Sequence, residues 1–416
     1  AATVQRDHIT HEQVSTLFWI NVLVSVGLSV LCVSISPAVG NFYKDIRTSW
    51  IMVALASTFM MGGLTAQHNA LLRRQMRFGS IASIDILTTL VGIIIGITTA
   101  WLGFSYWALV AMTMGSSITN CIAVWVASPW RPGRIYRGAG VLKMVKFGSC
   151  LSISQVSNFI SGNCDKLIIG HNLGPGPLGI YNRAFQLLLM PMDQLYGPVS
   201  SVFLATLSRL AGEPDKYRKA VRQIGDLLVM AITPLAAVSI VLSSEIVSIF
   251  LGDAWAEAAS TFRTLAVVAL VLPINYLGAI ILQSSGRTDV MMKWAPVSMI
   301  ISITSIFIGV PWGLIGIATA WAIGVITIRT PLFYLIISRS TKVSFFDVCY
   351  PVLFYSIPFL LLLAGGIGIR NILHSTSPVV NLLFISASLT ACYSAFLYLT
   401  GKHRIIGKLA RYGTKQ

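Results

Sequence analysis

The sequence predicts an all-α polytopic membrane protein, and three observations carry that prediction. The chain is 55% hydrophobic with a mean hydropathy of +0.77 and only 11% charged residues, where a soluble domain carries roughly a quarter. Runs of about twenty residues with few charges recur from end to end, the length an α-helix needs to cross a bilayer. Basic residues outnumber acidic ones 30 to 14 and gather in alternate gaps between those runs, as expected when one set of loops faces the cytoplasm. Spans of a membrane β-barrel would be about ten alternating residues long, so that class is excluded. The basic excess therefore marks membrane topology and membrane lipids as surroundings, with no nucleic-acid partner.

Twelve spans are expected, at about 14–39, 50–68, 80–102, 105–128, 147–170, 179–208, 224–251, 257–284, 290–310, 313–337, 348–369 and 379–400. No gap is long enough for a soluble domain. The first four spans end at Ser128-Pro129-Trp130-Arg131-Pro132-Gly133-Arg134, where two prolines and a glycine stop a helix and Trp130 suits the interface. Gly212-Glu213-Pro214-Asp215-Lys216-Tyr217-Arg218-Lys219 reads as a turn entering a short amphipathic helix.

A shift of about 208 residues superposes 14–39 on 224–251, 50–68 on 257–284, 80–102 on 290–310 and 105–128 on 313–337. Spacing carries this signal and identity does not, so similar helix lengths arising by chance are the alternative. An even number of helices per unit gives a parallel repeat, a common transporter plan. The spans 147–170 and 179–208 lack partners, which would lie roughly sixty residues before Ala1. A six-plus-six repeat with two further C-terminal spans is thus expected, its first two helices missing from this chain. The first residues show no Met and no leader pattern, as if the chain begins inside a longer one. The expected organisation is an N-lobe remainder over 1–128, a cytoplasmic linker over 129–146, a C-lobe over 147–337, two extra helices over 348–400 and a basic tail over 401–416.

Of the thirty Lys and Arg residues, Lys44, Arg47 and Arg370 fall in the opposite gaps, and Lys166, Arg183, Arg263 and Arg329 fall within spans. The other twenty-three belong to one side, which places both termini in the cytoplasm. Cys32, Cys121, Cys150, Cys164, Cys349 and Cys392 lie in or at the ends of spans without CxxC or CxxH spacing. They read as small buried packing residues with no metal or disulfide role.

Several segments resemble the bacterial polysaccharide exporters. They include Ser15-Thr16-Leu17-Phe18-Trp19-Ile20-Asn21, Leu71-Leu72-Arg73-Arg74-Gln75-Met76-Arg77-Phe78 and Lys146-Phe147-Gly148. Asp165-Lys166-Leu167-Ile168-Ile169-Gly170, Leu173-Gly174-Pro175 and Leu178-Gly179-Ile180-Tyr181-Asn182-Arg183-Ala184 form the most specific stretch. Leu251-Gly252-Asp253-Ala254-Trp255 and Gly286-Arg287-Thr288-Asp289 complete it. The chain is similar over nearly its whole length to the Wzx-like lipid-linked oligosaccharide flippases of the multidrug/oligosaccharidyl-lipid/polysaccharide exporter superfamily, of the colanic-acid and exopolysaccharide type. The resemblance implies a two-lobe exporter of fourteen helices in the bacterial inner membrane. It implies movement of an undecaprenyl-diphosphate-linked glycan repeat unit to the periplasmic leaflet by alternating access, with H+ or Na+ as coupling ion, no cofactor, and polysaccharide polymerase or export machinery as partners.

Ionisable residues inside spans are costly and functional by default. Lys166 and Arg183 lie near the periplasmic ends of consecutive spans, and the Gly174-Pro175-Gly176-Pro177 turn would bring them together. Arg suits bidentate phosphate contact and Lys a point-charge contact; snorkelling to headgroups is the alternative for both, and a carboxylate partner for Lys166. Arg263 lies about two turns into its span. Arg329 lies towards the cytoplasmic third of its own, just before Pro331, as a cavity-lining or ion-paired residue. Asp193, beside Pro191 and Pro198, is the deepest acid. Desolvation would raise its pKa as a proton-coupled carrier needs; a structural pair with Lys166, Arg183 or Arg263 is the alternative. Asp165, Asp85, Asp226 and Glu245 suit interface or capping roles. Gln155, Asn158, Asn163, Asn275 and Gln283 offer hydrogen bonds either to sugar hydroxyls or between helices, Gln155 and Asn158 sharing a face.

Trp50, Tyr106, Trp107, Trp130, Tyr181, Trp255 and Trp312 read as interface anchors, and Pro191, Pro198, Pro234, Pro273 and Pro358 as kinks or hinges. A membrane glycosyltransferase, polymerase or ligase would need a large loop bearing acids, bases or a metal. The periplasmic gaps offer only Lys44, Asp45, Arg47, His171, Asp253, Glu257, Arg370 and His374, so no enzyme is expected. A multidrug or lipid II exporter of the same superfamily remains the nearer alternative, since fold alone does not separate these functions.

Overall fold

The computed structural model describes residues 10–136, 159, 162–210, 212–372 and 377–402. Among them the regular structure is helical, in two compact units, Ala1–Phe159 and Ile160–Gln416.

The first unit holds α1 (His11–Tyr43), α2 (Ile46–Arg74), α3 (Phe78–Trp101) and α4 (Trp107–Ala127). Thr10 starts α1 with a reciprocal capping box to Gln13, which satisfies two orphan amides. Lys44 adopts a left-handed conformation (φ 56°) and Asp45 caps α2 through the Arg47 amide, so the chain reverses in two residues. In lipid there is no hydrophobic drive between helices, and small residues let backbones approach. Gly63 accordingly lies against Ser25, where an added Cβ would sit 2.5 Å from the hydroxyl. Ser29 Oγ donates to Ala56 O (2.9 Å) and Ser49 Oγ to Ser36 O (2.8 Å) across the same hairpin. Most of α1 faces outward, with Leu23, Val24, Val30 and Leu31 all exposed, as a lipid-facing helix requires.

The chain leaving α4 is strapped back to the start of α1. Trp19 Nε1 donates to Gly133 O (2.8 Å), the Gly133 amide to Ser15 Oγ (3.0 Å), and Trp130 Nε1 to His11 Nδ1 (3.0 Å). His68, fully buried, stacks on Trp125 at 4.4 Å and meets Phe18 and Trp130 edge-on. The expected linker thus begins as an anchored segment; 137–146 lie outside the described residues, as do Cys150, Gln155 and Asn158.

The second unit contains α5 (162–173), α6 (Pro175–Leu210), α7 (Pro214–Val241), α8 (Ser243–Leu251), α9 (Ala258–Ala266), α10 (Leu272–Ser284), α11 (Thr288–Gly309), α12 (Gly313–Gly324), α13 (Thr330–Ser340), α14 (Phe345–Ile372) and α15 (Pro378–Leu399). Its core is a single cluster in which α7 buries Tyr217, Val221, Ile224, Leu228 and Ile232 at helical spacing. Among the described residues, eight helical stretches are long and apolar enough to cross a membrane, nine if the bent pair α9–α10 counts as one. One of the eight, Asp289–Ser340, runs 52 residues, about 78 Å if straight, far more than a bilayer core. It folds into a hairpin at Gly313 (φ +68°) instead, where Gly309 passes so close to Gly316 that an added Cβ would lie 2.5 Å from its carbonyl oxygen.

Several expectations need correction. The segment from Pro214 opens one continuous 28-residue helix, not a separate short one. Of the five prolines expected to kink their spans, Pro273 opens α10 at a 44° break that follows a 3-10 turn at Val267–Leu270, whereas Pro234 and Pro358 lie inside unbroken helices. None of the five described cysteines is buried: Cys32, Cys121, Cys164 and Cys349 are part-exposed and Cys392 is exposed. Tyr181 is fully buried and stacked on Phe185 (5.8 Å), so it packs the unit and does not anchor at an interface; Trp50, Trp107 and Trp312 are exposed as anchors should be.

Candidate functional site: a polar belt beside an unpaired arginine

Arg329 has the most unusual surroundings. Pro331 has no amide hydrogen to return to Thr327, and the helix absorbs the loss as a π-helical turn, Val325–Arg329, in which the Thr330 amide donates to Val325 O. Such bulges add one residue to a turn and recur at functional sites. Arg329 stands one turn from Val325 and Phe333, both buried, so all three share a face. It is half-buried, about 16 Å along the helix from Ser340, and has no hydrogen-bond or ion-pair partner among the described residues. A bare guanidinium at this depth costs free energy, which the protein has done nothing local to offset.

Beside it, polar groups join three helices. Thr330 Oγ1 accepts from Asn275 Nδ2 (3.0 Å) and the Tyr334 hydroxyl donates to Ile274 O, linking α13 to α10. Tyr276 stacks on Tyr196 of α6 at 4.3 Å, almost parallel at 12°, and its hydroxyl donates to Tyr196 O (3.2 Å). Asp193, one turn before Tyr196, lies at the centre of α6, about 27 Å from Pro175. The residue is exposed in the protein alone. No ion pair joins Asp193 to Lys166, Arg183 or Arg263 among the described residues.

The remaining cations sit apart from this belt. Lys166 Nζ donates to Asn163 Oδ1 on its own helix (2.7 Å), next to Asp165, whose carboxyl neighbours the buried Tyr181 hydroxyl. Arg183 is exposed, lies over the Trp255 ring at 5.5 Å and donates to Gln186 Oε1 (3.2 Å). Lys166 and Arg183, on the two sides of the Gly174-Pro175-Gly176-Pro177 turn, thus engage separate groups, Asn163 for one and Trp255 with Gln186 for the other. Arg263 Nε donates to buried Ser243 Oγ (3.0 Å). Asn275 takes the interhelical option, and Gln283 is exposed.

Two ion clusters escape sequence reasoning. Asp347, 4% exposed, receives Arg222 Nε at 2.6 Å and the Ser344 amide at 2.9 Å, with Arg218 Nε at 3.6 Å. Ser344-x-x-Asp347 has the spacing of a helix start before an apolar run, a signal present in the sequence. Glu245 pairs with Arg370 (3.1 Å), which also donates to Val241 O and Ser244 Oγ, so Glu245 links α8 to α14.

Residues 1–260 match the family described as polysaccharide biosynthesis protein. The teichuronic acid biosynthesis protein TuaB of Bacillus subtilis (strain 168) is 24% identical across 99% of this chain and 86% of its own length. The lipopolysaccharide biosynthesis protein WzxC of Escherichia coli (strain K12) is 24% identical across 84% of this chain and 69% of its own. The succinoglycan biosynthesis transport protein ExoT of Rhizobium meliloti (strain 1021) is 20% identical across 96% and 81%. Among solved structures, the lipid II flippase MurJ in an inward closed conformation aligns with a TM-score of 0.72 over 94% of this chain and 84% of its own, at 16% identity. An inward-facing multidrug resistance MATE family transporter of the MOP superfamily aligns at 0.60 over 79% and 81%, at 14% identity. The chain has the helical exporter fold of that superfamily. With more than half of its 416 residues inside the family match, it belongs to the polysaccharide biosynthesis protein family.

Proposed function

We propose that the chain is a flippase that moves an undecaprenyl-diphosphate-linked oligosaccharide repeat unit across the bacterial inner membrane, for exopolysaccharide or lipopolysaccharide biosynthesis. Family membership and the names of the relatives support the substrate class. The observation that carries the mechanism is Arg329, a guanidinium within a span on a π-helical turn and without a partner among the described residues. A diphosphate crossing hydrocarbon needs a cation that is not already neutralised, and a guanidinium binds phosphate through two parallel hydrogen bonds. The belt of Asn275, Thr330, Tyr196 and Tyr276 supplies hydroxyl, amide and ring faces of the kind that receive sugars. Arg183 over Trp255, Arg263 and Lys166 serve as further contacts along the route, with Gln155 and Asn158.

Transport proceeds by alternating access of an N-lobe over 1–128 and a C-lobe over 147–337 joined by the 129–146 linker, with 348–400 as two added helices. Asp193, exposed at mid-helix and without an ion pair among the described residues, is the site for a coupling H+ or Na+. Both termini face the cytoplasm, as the alternation of basic loops supports. The chain performs no covalent chemistry, and polymerase or export machinery receives its product.

The test expresses the full gene in a strain lacking its own glycan flippase and measures lipid-linked glycan reaching the periplasm. Restored export by the unaltered gene, and its loss with Arg329→Leu, supports the reading. Restored drug efflux or lipid II traffic without glycan export would move the chain to the multidrug or lipid II branch.

A further inference from the structure

One cluster has no part in that transport reading. Gly401 (φ +68°) ends α15 in a left-handed turn, its amide bonded to Tyr398 O, as glycine beyond a helix C-terminus does. The next residue, Lys402, extends into a recess between α7 and α14. Its ammonium lies 4.7 Å from the Phe354 ring centroid, 5.4 Å from Tyr350 and 5.9 Å from Tyr355. It meets Asp226 Oδ2 at 2.9 Å. Asp226 is 7% exposed and Tyr355 0%. Asp226 Oδ1 and the Tyr355 hydroxyl are both buried and make no hydrogen bond among the described residues.

Three rings and one carboxylate gathered around a single ammonium form a receptor for a small organic cation. Ring faces attract ammonium groups within about 6 Å, and a buried carboxylate needs a cation or donors to be tolerated. The acceptor capacity here exceeds what Lys402 uses, since one carboxylate oxygen and one hydroxyl stay unmatched. A primary ammonium on a shorter stem carries three donors that can be turned toward both. Lys402 itself comes from the chain just beyond α15, with only Gly401 between it and the α15 cap, and so enters the recess as a ligand rather than as part of its wall.

We infer that Asp226, Tyr350, Phe354 and Tyr355 form a primary-ammonium binding site that Lys402 fills in cis and that an alkylammonium group from outside fills when Lys402 withdraws. The group comes from an ethanolamine lipid headgroup or from a free amine. Because the walls belong to α7 and α14, occupancy by either cation ties the C-terminal helix pair to the rest of its unit.

The test uses the full chain in nanodiscs of phosphatidylglycerol, with ethylammonium chloride as probe and sodium chloride at equal ionic strength as control. In the unaltered protein, ethylammonium displaces Lys402 and speeds hydrogen exchange at 399–402 several-fold, whereas sodium does not. Lys402→Gln lowers the melting temperature; ethylammonium restores it, and the Asp226→Asn double variant needs at least ~tenfold more. Phosphatidylethanolamine restoring Lys402→Gln without added amine identifies the lipid as source, and restoration by the free amine alone identifies a soluble one. Exchange at 399–402 that is indifferent to ethylammonium in the unaltered protein overturns the inference, and this arm decides alone if the variants do not fold. Equal ethylammonium responses with and without Asp226→Asn overturn it as well.

Discussion

Replacing Arg329 with leucine separates a residue kept for transport from one kept for the fold. The side chain has no partner among the described residues, so its removal strands no buried acid and breaks no described hydrogen bond. Insertion of a central arginine costs about 2.5–3.5 kcal/mol on the translocon scale. Arg329 is only half-buried, so part of that cost is relieved by water, and the leucine variant should be unchanged or more stable by up to about 2 kcal/mol. Transport should move the other way. A hydrogen bond to a charged group is worth about 1.5–3 kcal/mol, which converts to roughly 10- to 150-fold in rate or affinity. Arg329→Lys should retain part of the activity, because the charge stays and the two-pronged geometry goes. The assay pairs thermal unfolding of the purified protein with periplasmic glycan in the flippase-null strain. A variant destabilised by more than about 3 kcal/mol would place Arg329 in a structural ion pair, and undiminished export would remove it from the substrate route.

Other positions test the surrounding framework. Asp347→Ala removes the acceptor for Arg222 and the cap at Ser344, and should cost about 2–3 kcal/mol in chemical unfolding; the half-exposed arginines can turn to water, which limits the loss. Gly278→Val places its Cβ 2.5 Å from Phe333 and 2.8 Å from Ile337, and should lower stability by about 1–3 kcal/mol through overpacking between α10 and α13. Asp193→Asn should leave the melting temperature within a few degrees while flattening the pH or sodium dependence of transport. Retained dependence with normal export would move the coupling site elsewhere.

The membrane class and most helices were legible because hydropathy acts over twenty residues and tolerates errors of two or three at each end. Where the chain departs from a straight span, the cause is local and partly readable. Pro331 explains the π turn and Pro273 the broken span, whereas Pro234 and Pro358 sit in helices that stay continuous, so proline alone does not locate a break. The cation roles were less legible. Lys166 and Arg183 were legible as cations on either side of a tight turn, but their contacts with Asn163 and Trp255 were not, since a side-chain contact depends on helix rotation that spacing does not report. Tyr181 sat where interface aromatics sit but faces inward to Phe185. The Lys402 recess was beyond sequence reasoning altogether: its acid, rings and cation are brought together from α7, α14 and the end of α15 only by packing.

The most direct test of the central proposal follows one molecule across one membrane. In vesicles containing the full protein and a fluorescent lipid diphosphate-linked oligosaccharide placed on one leaflet, a sugar-binding probe on the other side reports arrival. The account predicts arrival that depends on the protein and falls roughly 10- to 150-fold with Arg329→Leu. Arrival at the same rate in both proteins, or none with folded unaltered protein under an imposed proton or sodium gradient, would contradict it.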